Sequence, residues 1–561
     1  MHIRSLLVAS ALLLAACSTP PAPPPAEKPA PAVAQFEHFT YRGEDAVFAV
    51  KKAGPDEYLN PILPGYYPDP SILRVGDDYY LVNSSFTHFP GLPVWHSKDL
   101  VHWTQIANAV TRPSQAEFGK LEVSRGLFAP AIGYANGTYY IINTCVGCGE
   151  NFLITAKNPA GPWSDPVRLP FEGIDPSLFF DTDGKAYIVN NGPPEGTPLY
   201  NGHRAIWMQE YDVASAKMVG PRKVLVNGGT DIAKKPIWIE GPHLYRIKGW
   251  YYLMCAEGGT ADQHSEVIFR SKTLWGPYVA FKGNPILTQR DLYPDREFPV
   301  TSTGHADLVE TQKGDWYAVF LGTRPYGDDL YNTGRETFLL PVTWKEGWPI
   351  ILKKGEHLPF VAKRPNLPAE PGPQPHAGNF TVTENFDAPL GLDWVMVRTP
   401  HEDWYTVEHG AMTLKARPVV IGGDGNPSFL GKRQQHATAT VTTTLRFDPK
   451  IEGERAGLVA FQNSKAFYFF GMVRENGKNA LCVTRRTSKD EPENGTTLAC
   501  APAPAGTVTL QIAVNRDKID FSYGAADSLQ TLIKDADATV LSTKQAGGFV
   551  GTVIGPYAYS P

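Results

Sequence analysis

Between residues 58 and 358 the chain repeats one pattern five times. A polar or glycine turn is followed by an aromatic-rich apolar run, then by a second run that ends near a Trp or Pro. The turns and their following runs are Gly76-Asp77-Asp78-Tyr79-Tyr80, Asn136-Gly137-Thr138-Tyr139-Tyr140, Asp183-Gly184-Lys185-Ala186-Tyr187, Lys248-Gly249-Trp250-Tyr251-Tyr252 and Lys313-Gly314-Asp315-Trp316-Tyr317. The final aromatics of these five units lie 60, 47, 65 and 65 residues apart. Gly161-Pro162-Trp163 and Gly276-Pro277-Tyr278 echo one another downstream. Turn residues between short β-rich runs read as hairpins, and no useful stretch of helical period interrupts them. Five hairpin units of similar length predict an all-β, five-bladed propeller over 58–358. A β-sandwich with hairpins alike by chance is the alternative.

The flanks read differently. A Pro-rich linker at 359–375 leads to a second strand-rich block, 376–561, with no five-fold repeat. Thr438 to Thr444 is β-branched, and 456–461, 467–473 and 507–514 are further strand candidates, so this block reads as a β-sandwich. At the other end, Arg4, the apolar run Leu6 to Leu14 and Leu14-Ala15-Ala16-Cys17 resemble a bacterial lipoprotein signal. That predicts cleavage before Cys17 and lipidation of its thiol over residues 1–17. Ser18 is not the Asp that retains such proteins at the inner membrane, which points to the outer membrane, facing the periplasm or the exterior; a plain secretory signal with a chance Cys, leaving the protein periplasmic or secreted, is the alternative. Residues 18–57 read as a Pro/Ala spacer, polyproline-like to about residue 35, and an extension to which the sequence assigns no role. No later run of 18 apolar residues offers a membrane span, so membrane contact is expected only through the lipid.

Composition narrows the function classes. A length of 561 residues suits two or three domains. The formal net charge is −5 with acids and bases interspersed, which excludes the basic stripe of a nucleic-acid partner. Aromatic residues reach 11%, a level that ordinary core packing explains and that also suits stacking on sugar rings. Of the six cysteines, Cys145 and Cys148 form one C-x-x-C without the second pair or His ligands a zinc site needs. They read as a disulfide or two thiols. Cys482 and Cys500 flank a polar stretch between strand-like runs and read as a hairpin disulfide.

Three acids stand in apolar context near the starts of repeat units. They are Asp69 in Pro68-Asp69-Pro70-Ser71-Ile72, Asp175 in Ile174-Asp175-Pro176-Ser177-Leu178, and Glu240 in Trp238-Ile239-Glu240-Gly241-Pro242. A carboxylate placed so is costly unless paired or hydrogen-bonded. One such acid reads as a turn cap; three at like places in separate units point to a site. The motifs around them resemble glycoside hydrolase family 43. Asn60-Pro61-Ile62-Leu63-Pro64-Gly65-Tyr66-Tyr67-Pro68-Asp69-Pro70-Ser71 is similar to the family's opening motif, and 96–103 to its first-blade strand. Glu240-Gly241-Pro242-His243-Leu244-Tyr245 is similar to the segment bearing its general acid. Thr303-Gly304-His305-Ala306 and Gly334-Arg335-Glu336-Thr337 resemble two further site motifs. The second block, through Arg433-Gln434-Gln435-His436 and 456–463, resembles the concanavalin-like sandwich of the family's β-xylosidases.

The resemblance implies an inverting exo-glycosidase that releases terminal xylose, arabinose or both from xylo-oligosaccharides or arabinoxylan fragments. Asp69 would be the general base, Glu240 the general acid, and Asp175 the carboxylate that orients the acid and raises its pKa. Arg335 and His305 would contact substrate, as would Phe86, Phe128 and, from the sandwich, Phe549. This chemistry requires no cofactor, although a calcium ion lies near the residue corresponding to His305 in some members. A homo-oligomer and the choice of pentoside stay open. A non-catalytic glycan-binding propeller is the rival from another class, but neutral sugars need no such set of acids. A fructan-type five-bladed enzyme would carry an opening Asn-Asp-Pro-Asn-Gly motif, which is absent.

Overall fold

The structure, a computed structural model, describes residues 32–561. The segment read as a lipoprotein signal, with Cys17, and most of the Pro/Ala spacer therefore lie outside the described residues. The five repeat units form five antiparallel sheets. Their innermost strands are Ser71–Val75, Ala131–Ala135, Ile174–Phe180, Glu240–Ile247 and Thr301–Glu310, and each touches the next in a closed ring. The chain is a five-bladed propeller, as the turn spacing predicts. Each turn joins the first and second strands of its blade. Asn136-Gly137 and Lys248-Gly249 each have positive φ at both residues, the two-residue turn that matches the twist of paired strands.

The core of the propeller lies between blades. Ile142 meets Ile188 between the second and third, Val189 and Met208 meet Leu253 and Phe269 between the third and fourth, and Met254 and Ile268 meet Phe320 between the fourth and fifth. The last blade has three strands, the outermost Glu336–Pro341. The chain that precedes the first blade closes the ring on it. The N–H groups of Ile62 and Leu63 donate to the Thr337 carbonyl, at 2.9 and 3.2 Å, and Thr337 donates back to Leu63 at 3.1 Å. The Asn60 side chain holds both backbone groups of Leu339.

Two facing sheets form the sandwich. One contains Thr438–Arg446 and Thr507–Asn515; the other contains Arg455–Asn463, Ala466–Glu475 and Val553–Tyr559. Along Thr438–Arg446, buried and half-buried positions alternate, the period-two pattern of a strand with one face in a core. The extension without a sequence-assigned role belongs to this sandwich. Val33–Phe36 pairs with Ala411–Lys415, and Phe39–Gly43 pairs with both Phe380–Glu384 and Thr438–Arg446. The spacer, read to about residue 35, gives way to strand already at Val33. The partners of these strands lie some 400 residues away, so no local signal marks them. The stretch at 359–375 is also not free: Val361–Lys363 pairs with Glu57–Leu59, and the Gln374 amide bonds both backbone groups of Leu59. Cys145 is bonded to Cys148, and Cys482 to Cys500 directly across neighbouring strands.

Propeller and sandwich are joined by buried charge. Arg324 pairs with Glu336 at 2.6 Å and with Asp45 at 2.6 Å, and donates to the Gln435 carbonyl at 2.9 Å. The Arg433 guanidinium reaches from the sandwich onto the rings of Tyr66 and Tyr67 and donates to the Tyr66 carbonyl.

Candidate active site

One backbone device places the acids. In the first and third blades the inner strand is entered through Asp-Pro-Ser, and both aspartates have φ near +53°. That left-handed conformation is uncommon outside glycine, asparagine and aspartate. It turns the carboxylates away from the sheet ladder toward the propeller's centre. In the fourth blade Gly241-Pro242 takes the corresponding place, with φ +55° at Gly241. A Cβ there would lie 2.8 Å from Nε2 of His305. The acid therefore sits one residue earlier, as the longer Glu240. Strand register slips after Ile174 and after Glu240, and twice around His305. Irregularities of this kind re-aim side chains beside functional sites.

All eight residues expected from sequence line a single cavity of about 520 Å³: Asp69, Asp175, Glu240, His305, Arg335, Phe86, Phe128 and Phe549. Asp69 is buried. Its Oδ1 accepts from Nη1 of Arg335 at 3.0 Å, its Oδ2 accepts from Oγ of Ser84 at 2.5 Å, and Nδ1 of His305 lies 3.6 Å away. Burial alone would raise its pKa, but the Arg335 charge, His305 and the Ser84 hydroxyl outweigh it and hold the carboxyl below its ordinary value. Asp175 accepts only from the Gly241 N–H, at 3.2 Å. Burial, with the negative charge of Asp69 added, pushes it up to about 7. Glu240 is half-buried at the cavity wall. Burial, then Asp175, then Asp69 raise its pKa well above the usual carboxylate range. One pocket thus holds one acid biased to the ionised form and another biased to the protonated form, the arrangement that acid–base chemistry needs.

The neighbours fix this arrangement. Arg335 also donates to Oγ1 of Thr260 at 3.0 Å, and its guanidinium lies 5.4 Å from the Phe549 ring and 5.9 Å from the Phe86 ring. Phe86, Phe128 and Phe549 form an aromatic cluster with centroids 5.5 to 6.0 Å apart. Phe549 comes from the sandwich, and its N–H donates to the Ser124 hydroxyl of the propeller. Phe86 is bridged to Leu127. A Cβ on Gly126, at φ +89°, would meet the Phe86 carbonyl at 2.5 Å, so only glycine fits that approach. His305 is buried and pushed down to about 4, chiefly by burial, so it is neutral at ordinary pH. Calcium prefers a cage of oxygens, whereas His305 faces Arg335-bound Asp69. Among the described residues no three His, Cys, Asp or Glu side chains converge as cation ligands. The side chains around His305 do not fit a calcium cage.

Sequence reasoning missed Arg125, Val146, Arg204, Trp238 and Thr260, which also line the cavity. Trp238 stands two residues before Glu240 and could have been found from that spacing. Thr260 follows the paired glycines 258 and 259. Arg204 and Arg125 carry no local signal.

Residues 58–349 match the family model described as glycosyl hydrolases family 43. The chain belongs to glycoside hydrolase family 43. Residues 383–561 match the β-xylosidase C-terminal concanavalin A-like domain. This glycoside hydrolase is 39% identical over 512 residues to a xylosidase/arabinosidase of Butyrivibrio fibrisolvens, covering 89% of this chain and 95% of that protein. It is 40% identical over 511 residues to a non-reducing end α-L-arabinofuranosidase of Bacteroides ovatus, covering 89% and 91%. Among solved structures, a family 43 enzyme from a capybara gut metagenome superposes with a TM-score of 0.88 at 42% identity, over 95% of this chain and 100% of the other.

Proposed function

We propose that the protein is an inverting exo-glycosidase that releases terminal xylose, arabinose or both from xylo-oligosaccharides or arabinoxylan fragments. The observation that carries the reading is the convergence of Asp69, Asp175 and Glu240, from three blades, on one cavity whose charges bias Asp69 toward the ionised form and Glu240 toward the protonated form. Asp69 is the general base: it takes a proton from the water that attacks the anomeric carbon. Glu240 is the general acid: it gives its proton to the departing glycosidic oxygen as the bond breaks. Burial first, and then Asp175 where it is ionised, biases Glu240 toward its protonated form, and the Asp175 carboxyl accepts from the Gly241 N–H beside it. Arg335 keeps Asp69 ionised and offers its remaining donors to sugar hydroxyls. The three phenylalanines bound the sugar's apolar faces and exclude water other than the attacking one. The names of the relatives support both pentosides.

The signal sequence supports export and anchoring through a lipidated Cys17 at the outer membrane. The two disulfides are consistent with an oxidising compartment. The reading is tested by kcat/KM on 4-nitrophenyl β-D-xylopyranoside and α-L-arabinofuranoside, followed by Glu240→Gln on xylobiose or an arabinoxylan fragment. Loss of the proton donor is expected to cost about 10²- to 10⁴-fold. A folded Glu240→Gln variant with near-wild-type turnover overturns the assignment.

A further inference from the structure

We infer that Trp238, backed by Arg204, is the platform that receives the leaving-group sugar; the inference rests on the glycosidase reading above. Trp238 and Glu240 both line the cavity, while Ile239 between them is buried at 2% exposure. Glu240 protonates the glycosidic oxygen, and whatever is bonded to that oxygen must leave past the residues beside it. Trp238 is 40% exposed although it lines the cavity, and its neighbour Ile237 is equally exposed.

The platform is built rather than incidental. Trp238 has φ +51°, a conformation a bulky L-residue rarely adopts. Three hydrogen bonds hold the loop in it. The Trp238 N–H donates to Gly202 at 2.9 Å, the Gly258 N–H donates to Ile237 at 2.9 Å, and the Tyr200 hydroxyl donates to Pro236 at 2.7 Å. Arg204 lies with its guanidinium carbon 5.1 Å from the ring. Its Nε and Nη2 are locked on Oδ1 of Asn191 at 3.1 and 2.8 Å, and Asn191 in turn donates to the Ile239 carbonyl at 2.6 Å. Arg204, which lines the cavity with Trp238, sets a cation against the indole and steadies it. A strained exposed aromatic, kept in place by its surroundings, marks a binding position. An indole face fits the flat C–H face of a pyranose ring, so the ligand class is a xylopyranose residue of a β-linked chain.

The test compares Trp238→Ala and Trp238→Phe with the wild type on two substrates. One carries a sugar leaving group: xylobiose, or arabinofuranosyl-xylobiose if arabinose is the sugar released. The other is the corresponding pentosyl fluoride, whose leaving group has no ring. The expected result is a fall of about tenfold or more in kcat/KM for Trp238→Ala on the sugar-linked substrate, mostly in KM. The loss on the fluoride should be at least fivefold smaller, and Trp238→Phe should recover most of the loss on the sugar-linked substrate. Equal losses on both substrates, or none on the sugar-linked one, overturn the platform. If Trp238→Ala does not fold, Trp238→Leu, which keeps bulk without an aromatic face, carries the same comparison. A wild-type protein inert on both substrates would instead overturn the glycosidase reading itself.

Discussion

Phe549 is the one cavity residue supplied by the sandwich, so its removal asks whether that domain is part of the active site. In Phe549→Ala the ring that stacks on Phe86 at 6.0 Å and meets Phe128 edge-on at 5.7 Å is lost, together with its contact to the Arg335 guanidinium. Two aromatic pairs are worth about 0.5–1.5 kcal/mol each, and an arginine over a ring adds roughly 0.5–1 kcal/mol. The total, about 1.5–4 kcal/mol, is an upper bound, because the Phe86–Phe128 pair remains and neighbouring contacts are not additive. Arg335 also keeps its bonds to Asp69 and Thr260, so about half of that should appear in catalysis. That half corresponds to a loss of about 4- to 30-fold in kcat/KM at 1.36 kcal/mol per tenfold. Because the ring bounds the sugar and does not react, KM should carry most of the loss. The assay is steady-state hydrolysis of a 4-nitrophenyl pentoside, with circular dichroism to show that the fold persists. A folded variant within twofold of the wild type would refute a catalytic role for the sandwich.

Three further outcomes follow from the same geometry. Asp175→Asn removes a negative neighbour that raises the Glu240 pKa; because the acid works only below its pKa, the basic limb of the kcat/KM profile should move to lower pH, and an unmoved limb would detach Asp175 from Glu240. Arg335→Ala removes the positive charge that does most to hold Asp69 ionised; since the base works only above its pKa, the acidic limb should move to higher pH. Arg324→Ala leaves Glu336 and Asp45 buried without their shared partner and should destabilise the protein by about 3–5 kcal/mol, measured by denaturant unfolding.

The parts of this structure legible in sequence are those set by local chemistry. The five turns announce the blades because each needs glycine or a polar residue at a fixed place between β-rich runs. The Asp-Pro-Ser and Glu-Gly-Pro segments announce the carboxylates because an acid before a strand entry serves no packing purpose three times over. What escapes is set by distant partners. The Val33–Phe36 and Phe39–Gly43 strands find their sheet across the whole propeller. The strap of Asn60–Leu63 on the last blade is invisible until the ring closes. Arg204 reaches the cavity only because Asn191, from the neighbouring strand, holds it there. Phe549 is found through the family resemblance, not through any pattern of its own.

The central claim is a single displacement by water activated at Asp69 while Glu240 protonates the opposite side of the bond. Proton NMR of the sugar released in the first moments of hydrolysis, before mutarotation, tests it most directly. A β-xyloside should yield α-xylose first, and an α-L-arabinofuranoside should yield the β-anomer. First appearance of the anomer with the substrate's own configuration would mean a covalent intermediate and would contradict the roles given to both acids.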